Sequence, residues 1–201
     1  MPSKTEQIYV WLTALAEKMD AHRCEPLGLV VCGGAALRVL GVLDRPTKDV
    51  DVIALSMKNR LAPTTDEFPA GFRECVVEVA EDLGLATDWL NRGPSKLLDM
   101  GLPDGWRQRV SAADFGKRLR IYWLGRADLI CLKLYAACDD RAKRPEVHAD
   151  DLRRFKPSYE ELDVGVEWLR EALPASRYAE LSHPLKRLLG YLGHEDLAYY
   201  V

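Results

Sequence analysis

The sequence predicts an α/β (α+β) protein, a small mixed sheet with flanking helices followed by an all-helical C-terminal part. Three observations predict it. An apolar run, Leu29-Val30-Val31-Cys32, breaks at Gly33-Gly34. A second apolar run, Val50 to Ala54, has aspartates at alternate positions at its start, Asp49 just before it and Asp51 within it. From Asp128 onward, apolar residues recur at helical rather than strand spacing. The division falls near Arg126, with residues 1–126 as the core and 127–201 as the helical C-terminal subdomain.

Each element has a local reason. Ser3 and Glu6 form a capping-box pattern ahead of an amphipathic helix. In that helix Ile8, Trp11, Leu12, Leu15 and Met19 share one face, while Glu6, Glu17, Lys18 and Asp20 face water. Leu27–Cys32 is the first strand, and a helix over Ala35–Leu40 follows the glycine turn. Leu43–Lys48 connects to a second strand, Asp49–Leu55. Phe72–Leu83 reads as a helix with Val76, Val79, Ala80 and Leu83 on one face. Leu85–Leu90 is the expected third strand and Leu119–Leu124 the fourth. Between them, Asn91–Phe115 is rich in Gly and Pro and reads as a long loop with one helical turn, a candidate flap near the site. Helices are expected over Leu129–Cys138, His148–Arg154 and Tyr159–Leu173, with a last one from Tyr178 into Leu189.

Composition narrows the class. With 48% hydrophobic and 29% charged residues, the chain of 201 residues is an ordinary globular protein that needs no disulfide staples. Five cysteines without a C-x-x-C indicate neither a disulfide framework nor a zinc site. No signal-peptide pattern opens the chain and no apolar run reaches membrane-spanning length, so the expected compartment is the cytoplasm. The net charge is −3, unevenly spread: Lys117 to Lys156 holds eleven basic residues against six acids, or +5, leaving −8 elsewhere. Solvated helix faces account for such a segment as well as a polyanionic substrate does.

The chemistry lies in the two motifs. In a strand, alternate side chains share a face, so Asp49 and Asp51 project together about 6–7 Å apart at Cα. Such carboxylates repel each other unless a cation lies between them. Hard oxygen ligands so arranged suit Mg²⁺, which keeps waters and a substrate phosphate in its other positions. Backbone N–H groups at the glycine turn and the helix start are placed to cradle phosphate. Taken singly, an Asp-x-Asp can be a strand end and a Gly-Gly a tight turn. Sixteen positions separate Gly33 from Asp49, and apolar runs flank both, which together favours function.

This combination resembles the nucleotidyltransferase superfamily that includes DNA polymerase β, where a Gly-Gly or Gly-Ser turn after the first strand precedes an Asp-x-Asp on the second. The likeness is closer to the small nucleotidyltransferase toxins of toxin–antitoxin and abortive-infection systems. These read Gly-Gly-x-Ala-Leu and then Arg-x-Thr-x-Asp-x-Asp. This chain has Gly33-Gly34-Ala35-Ala36-Leu37 and Arg45-Pro46-Thr47-Lys48-Asp49-Val50-Asp51, with Ala35 where the superfamily often has Ser. The resemblance implies a small mixed-sheet nucleotidyltransferase core, with Mg²⁺ (or Mn²⁺) on Asp49 and Asp51. It also implies that Gly33, Gly34, Arg45, Thr47 and Lys133 contact an NTP.

Three further residues belong to this expectation. Related enzymes commonly have a third carboxylate on a neighbouring strand, and Asp88 is the only acid on the expected third strand. It would complete the metal site or accept a proton from the attacking hydroxyl, unless it is a plain strand-end residue. Lys133 shares an otherwise apolar helix face with Leu129, Ile130, Ala136 and Ala137. Asp128-Leu129 with Lys133 and Ala136 resembles the toxin-type Asp-Leu-x-x-x-Lys-x-x-Ala helix, in which the lysine lies at the active site. Neutralising triphosphate charge and forming a buried ion pair are its two readings. Asp151-Leu152 matches the Asp-Leu of that family's Lys-x-x-x-Asp-Leu, but Val147 stands where the lysine would be. Asp151 is thus either catalytic or a helix-start acid favoured by the helix dipole.

The function so implied is Mg²⁺-dependent transfer of an NMP from an NTP to an acceptor hydroxyl. The family likeness points to RNA as acceptor, the 3′ end of a tRNA above all, or to a side chain of a cognate antitoxin. A non-catalytic nucleotide-binding or regulatory module on the same fold is the alternative. A dinucleotide-binding enzyme is disfavoured because no G-x-G-x-x-G follows the first strand.

Overall fold

A computed structural model describes residues 4–42, 47–57, 67–139, 141–142 and 144–201. Ser3, the expected helix cap, and Arg45, an expected NTP contact, lie outside the described residues. The chain divides into two compact units, one of residues 1–99 with 105–125 and one of residues 100–104 with 126–201.

The first unit opens with helix α1 (Lys4–Ala21), strand β1 (Leu27–Cys32) and helix α2 (Gly33–Val39), followed by strand β2 (Val50–Met57) and helix α3 (Ala70–Leu83). Strand β3 (Leu90–Asn91), a 3-10 segment (Gly93–Met100), the short helix α4 (Trp106–Arg109) and strands β4 (Ser111–Phe115) and β5 (Leu119–Trp123) follow. The five strands form one mixed sheet in the order β3-β2-β1-β5-β4. β1 runs antiparallel to β2 and parallel to β5, β2 runs parallel to β3, and β4 and β5 form an antiparallel hairpin.

The apolar face read from α1 is the one that is buried: Ile8, Trp11, Leu12, Leu15 and Met19 all lie in the core. Trp11 meets Trp89 edge-on at 6.0 Å between ring centroids, and the Trp89 indole N–H donates to the Val76 carbonyl of α3 at 3.0 Å. Lys18 ties α1 to α3 from the outside through Glu78 and Asp82.

Two expectations for this unit are corrected. The third strand is not Leu85–Leu90 but the two residues Leu90–Asn91. Residues 87–88 form a turn, because Trp89 is drawn inward by its bond to α3 before pairing with β2 begins. Asn91–Phe115 is not one long loop, since it holds the 3-10 segment, a helical turn and the strand β4. β4 escaped notice because Ser111-Ala112-Ala113-Asp114 is a largely exposed edge without alternating apolar residues.

The second unit is helical: α5 (Arg126–Cys138), α6 (Pro145–Phe155), α7 (Tyr159–Ala172), α8 (Ala175–Tyr191) and the short α9 (Glu195–Ala198). Ser158 and Glu161 form a complete capping box at the start of α7. Arg126 secures this corner with a two-pronged bond to the Glu161 carboxylate at 2.7 and 3.0 Å and a third bond to the Phe155 carbonyl at 2.9 Å. Among the described residues no helix is long and apolar enough to cross a membrane.

Candidate active site

The two sequence motifs meet at one end of the first unit's sheet. Gly33 begins α2 with φ +65°, a conformation that side chains disfavour. Space forbids a side chain as well: a Cβ there would stand 2.0 Å from Asp51 Oδ2 and 2.9 Å from Asp51 Cγ. At Gly34 a Cβ would stand 2.9 Å from Thr47 Oγ1. Each glycine therefore makes room for a residue of the Thr47–Asp51 segment, so the pairing of motifs inferred from spacing is a physical contact.

Asp51 is the second residue of β2 and half-buried, lying opposite Cys32 on β1 and Asn91 on β3. Its orientation depends on a bulge. The register runs Val30 to Ala54 and then Val31 to Val52, skipping Ile53. Paired residues share a face of the sheet, so the skip moves Asp51 off the face of Leu29, Val31 and Leu55 and onto that of Val30 and Cys32. A bulge re-aiming one side chain is a device often found beside active sites. Asp51 Oδ1 accepts a hydrogen bond from Asn91 Nδ2 at 3.2 Å, and Asn91 Oδ1 in turn accepts from the Gly93 amide at 2.8 Å. Asp49 lies just ahead of the strand and is exposed. The Thr47 hydroxyl lies 3.0 Å from the Asp49 carbonyl oxygen and 3.2 Å from its Oδ1, which fixes the approach to β2.

Asp88 is corrected. It sits in a solvent-exposed turn ahead of β3, not on a strand. The residue that the parallel register sets beside Asp51 is Asn91, an amide where a third carboxylate was expected. Sequence reasoning missed Asn91 because an isolated polar residue after Leu90 carries no pattern of its own. Ala35, beside the glycine pair, is fully buried.

The donor set suits a hard divalent cation. Among the described residues no group of three His, Cys, Asp or Glu side chains is placed to hold a metal. Two carboxylates with the remaining positions left to water and phosphate is how Mg²⁺ is commonly bound, and the missing Cβ of Gly33 lets the Asp51 carboxylate lie against the turn.

The second unit has its own cluster. Lys133 on α5 is buried, and its ammonium donates to Asp151 Oδ2 of α6 at 2.8 Å and lies 3.2 Å from His148 Nδ1. Of the fates open to a lysine on an apolar helix face, it has found an acid. Asp151 lies in the second turn of α6 and is 1% exposed, so the helix-start reading is set aside. A lysine ammonium can only donate, which makes His148 Nδ1 the acceptor and leaves the imidazole neutral. Burial, with the Lys133 charge next, pushes the His148 pKa from 6.5 down to about 4.

Residues 10–153 match the model of a family described as "Nucleotidyltransferase of unknown function (DUF6036)". The chain belongs to this nucleotidyltransferase family. The matched stretch takes in Gly33, Gly34, Asp49, Asp51, Asn91, Lys133 and Asp151 and ends inside α6. A search of curated proteins and a search of solved structures each found no match. In the first unit, the Asp51 carboxylate lies near the start of β2 with the side-chain-free turn at Gly33 packed against it.

Proposed function

We propose that the protein transfers a nucleoside monophosphate from an NTP to an acceptor hydroxyl. A bond forms between the acceptor oxygen and the α-phosphorus while the bond to pyrophosphate breaks, and the hydroxyl proton leaves to solvent. Asp49 and Asp51 are the ligands for Mg²⁺, or Mn²⁺ in its place, and such an ion neutralises phosphate charge when bound. Gly33 and Gly34 let the triphosphate approach backbone N–H groups, and Thr47 holds Asp49 in position. Arg45 enters as an NTP contact through the resemblance alone. Lys133 and Asp151 also enter through the resemblance, with their buried pairing more in keeping with positioning than with direct contact.

The observation that carries this reading is the fit of Gly33 against Asp51, since a Cβ-free turn packed on a carboxylate is costly to keep for structure alone. RNA is the favoured acceptor, with the 3′ end of tRNA first, and the support is the +5 balance of Lys117 to Lys156. A side chain of a cognate antitoxin is the other acceptor that the toxin-like resemblance brings. The test is incubation with each labelled NTP, Mg²⁺ and total RNA. Wild type should label RNA and Asp51→Asn should not. Absence of label on RNA and on added protein with every NTP, or equal labelling by Asp51→Asn, would refute the proposal.

A further inference from the structure

A cavity of about 320 Å³ lies in the first unit at the other end of the sheet, among the β4–β5 hairpin, the start of β1 and the end of β2. Gly28 forms part of its wall, opposite Ser56 on β2 and Arg120 on β5. A Cβ on Gly28 would stand 2.9 Å from Tyr122 Cε2 and 3.1 Å from the Ser56 carbonyl oxygen, so the glycine lets the Tyr122 ring lie across the strand. That ring supports the Arg120 guanidinium, 5.5 Å from its centroid.

Charge sets the character of the cavity. Lys117, Arg118 and Arg120 line it, offset by Asp114. Arg118 is committed elsewhere, pairing with Asp20 at 3.2 Å and donating to the Cys24 carbonyl. Arg120 is held more loosely. Its Nη1 lies 3.5 Å from the mostly exposed Asp114 carboxylate, too far for a hydrogen bond of ordinary strength. Its Nε is buried without an acceptor among the described residues. An unsatisfied buried donor is rare enough to require a reason. Lys117 is exposed beside it.

We propose that this cavity is a second anion site that takes a phosphate group. A planar guanidinium fork matches phosphate oxygens two at a time, and the neighbouring ammonium adds a mobile point charge. The cavity is larger than a bare ion, which leaves room for the group the phosphate is attached to. It is separate from the carboxylate pair. Gly28 and Cys32, the residue opposite Asp51, are four residues apart on β1, about 13 Å at strand spacing, and Val30 and Ala54 are fully buried between them on the same face. The proposal does not depend on nucleotidyl transfer.

The test titrates inorganic phosphate into the full chain by calorimetry, with EDTA present so that no metal draws phosphate to Asp49 and Asp51. Saturable binding is expected, weakened roughly tenfold by either Arg120→Gln or Lys117→Gln, the size of one charge-assisted bond. Asp51→Asn should leave it unchanged. Lys117 is exposed, so its variant keeps the test valid even if Arg120→Gln folds poorly. A short single-stranded RNA is then added as competitor. Displacement of phosphate assigns the site to a phosphodiester, and no displacement assigns it to a phosphate monoester or the free ion. Equal affinity in wild type and both variants, or no saturable binding of either phosphate or RNA, would overturn the proposal.

Discussion

The two charged clusters of this protein are built in opposite ways. In the first unit, two acids two positions apart lie near water: Asp49 is exposed, Asp51 is half-buried, and the Thr47 hydroxyl and Asn91 amide hold them. In the second unit, opposite charges are buried together, with Lys133 and Asp151 2.8 Å apart at side-chain exposures of 9% and 1%. A buried ion pair satisfies itself and leaves no charge for a ligand, and its cost is desolvation. Acidic residues near solvent cost little to fold, because water screens their charge. The first arrangement is suited to recruiting a cation, the second to fixing two helices.

The sharpest way to break this contrast is to neutralise one member of each cluster. Asp51→Asn should reduce NTP-dependent transfer by about a thousandfold or more, as expected for losing a metal ligand. It should leave the metal-free protein no less stable to urea, because removing one of two like charges relieves repulsion. A large loss of stability instead would make Asp51 a structural acid. Lys133→Met should do the reverse and destabilise the fold by about 3–5 kcal/mol, because it takes the ammonium away from a buried carboxylate. Lys133→Met with Asp151→Leu should recover much of that loss. A double variant no more stable than the single one would show that packing, not charge, is what Lys133 supplies.

The sequence carried these two regions unequally. β1 and α1 were legible because periodicity is a local property, and the spacing of the two motifs is matched by contacts of Gly33 with Asp51 and of Gly34 with Thr47. The Ile53 bulge that aims Asp51 was not legible, since a skipped residue in a fully apolar strand leaves the pattern unchanged. Asp88 was misplaced because a run from Leu85 to Leu90 looks like a strand, whereas the Trp89 bond to α3 decides where pairing begins. The partnership of Lys133 with Asp151 spans eighteen positions across two helices and depends on how α5 and α6 pack. No sequence period encodes that distance.

A smaller effect sharpens the account of the carboxylate pair. Asn91→Ala removes the amide that bonds Asp51 Oδ1 and the oxygen that receives the Gly93 N–H. Transfer should fall roughly tenfold, the size of one hydrogen bond to a charged group, with little change in urea stability because Asn91 is only half-buried. The drop should appear in kcat and not in the KM for NTP, since Asn91 acts through Asp51. Wild-type kcat in Asn91→Ala would remove Asn91 from the site.

The smallest expected effect tests the buried cluster by acid. His148 is held neutral, with its pKa pushed down from 6.5 to about 4 by burial and by Lys133. Between those values the unfolded chain binds a proton that the folded chain refuses, so this residue's contribution to stability is full above about pH 6.5 and is lost as pH falls toward 4. Acid acts on carboxyl groups as well as on imidazoles, which is why the informative quantity is a difference. His148→Asn keeps an acceptor for the Lys133 ammonium but cannot be protonated. Its Tm should therefore fall less than that of wild type as pH is lowered through this window, with the two curves running parallel above it. The separation should be modest because His148 is only partly buried and water screens its charge. Parallel curves throughout would mean that the imidazole is free to protonate in the folded state, and that Lys133 is held by Asp151 alone.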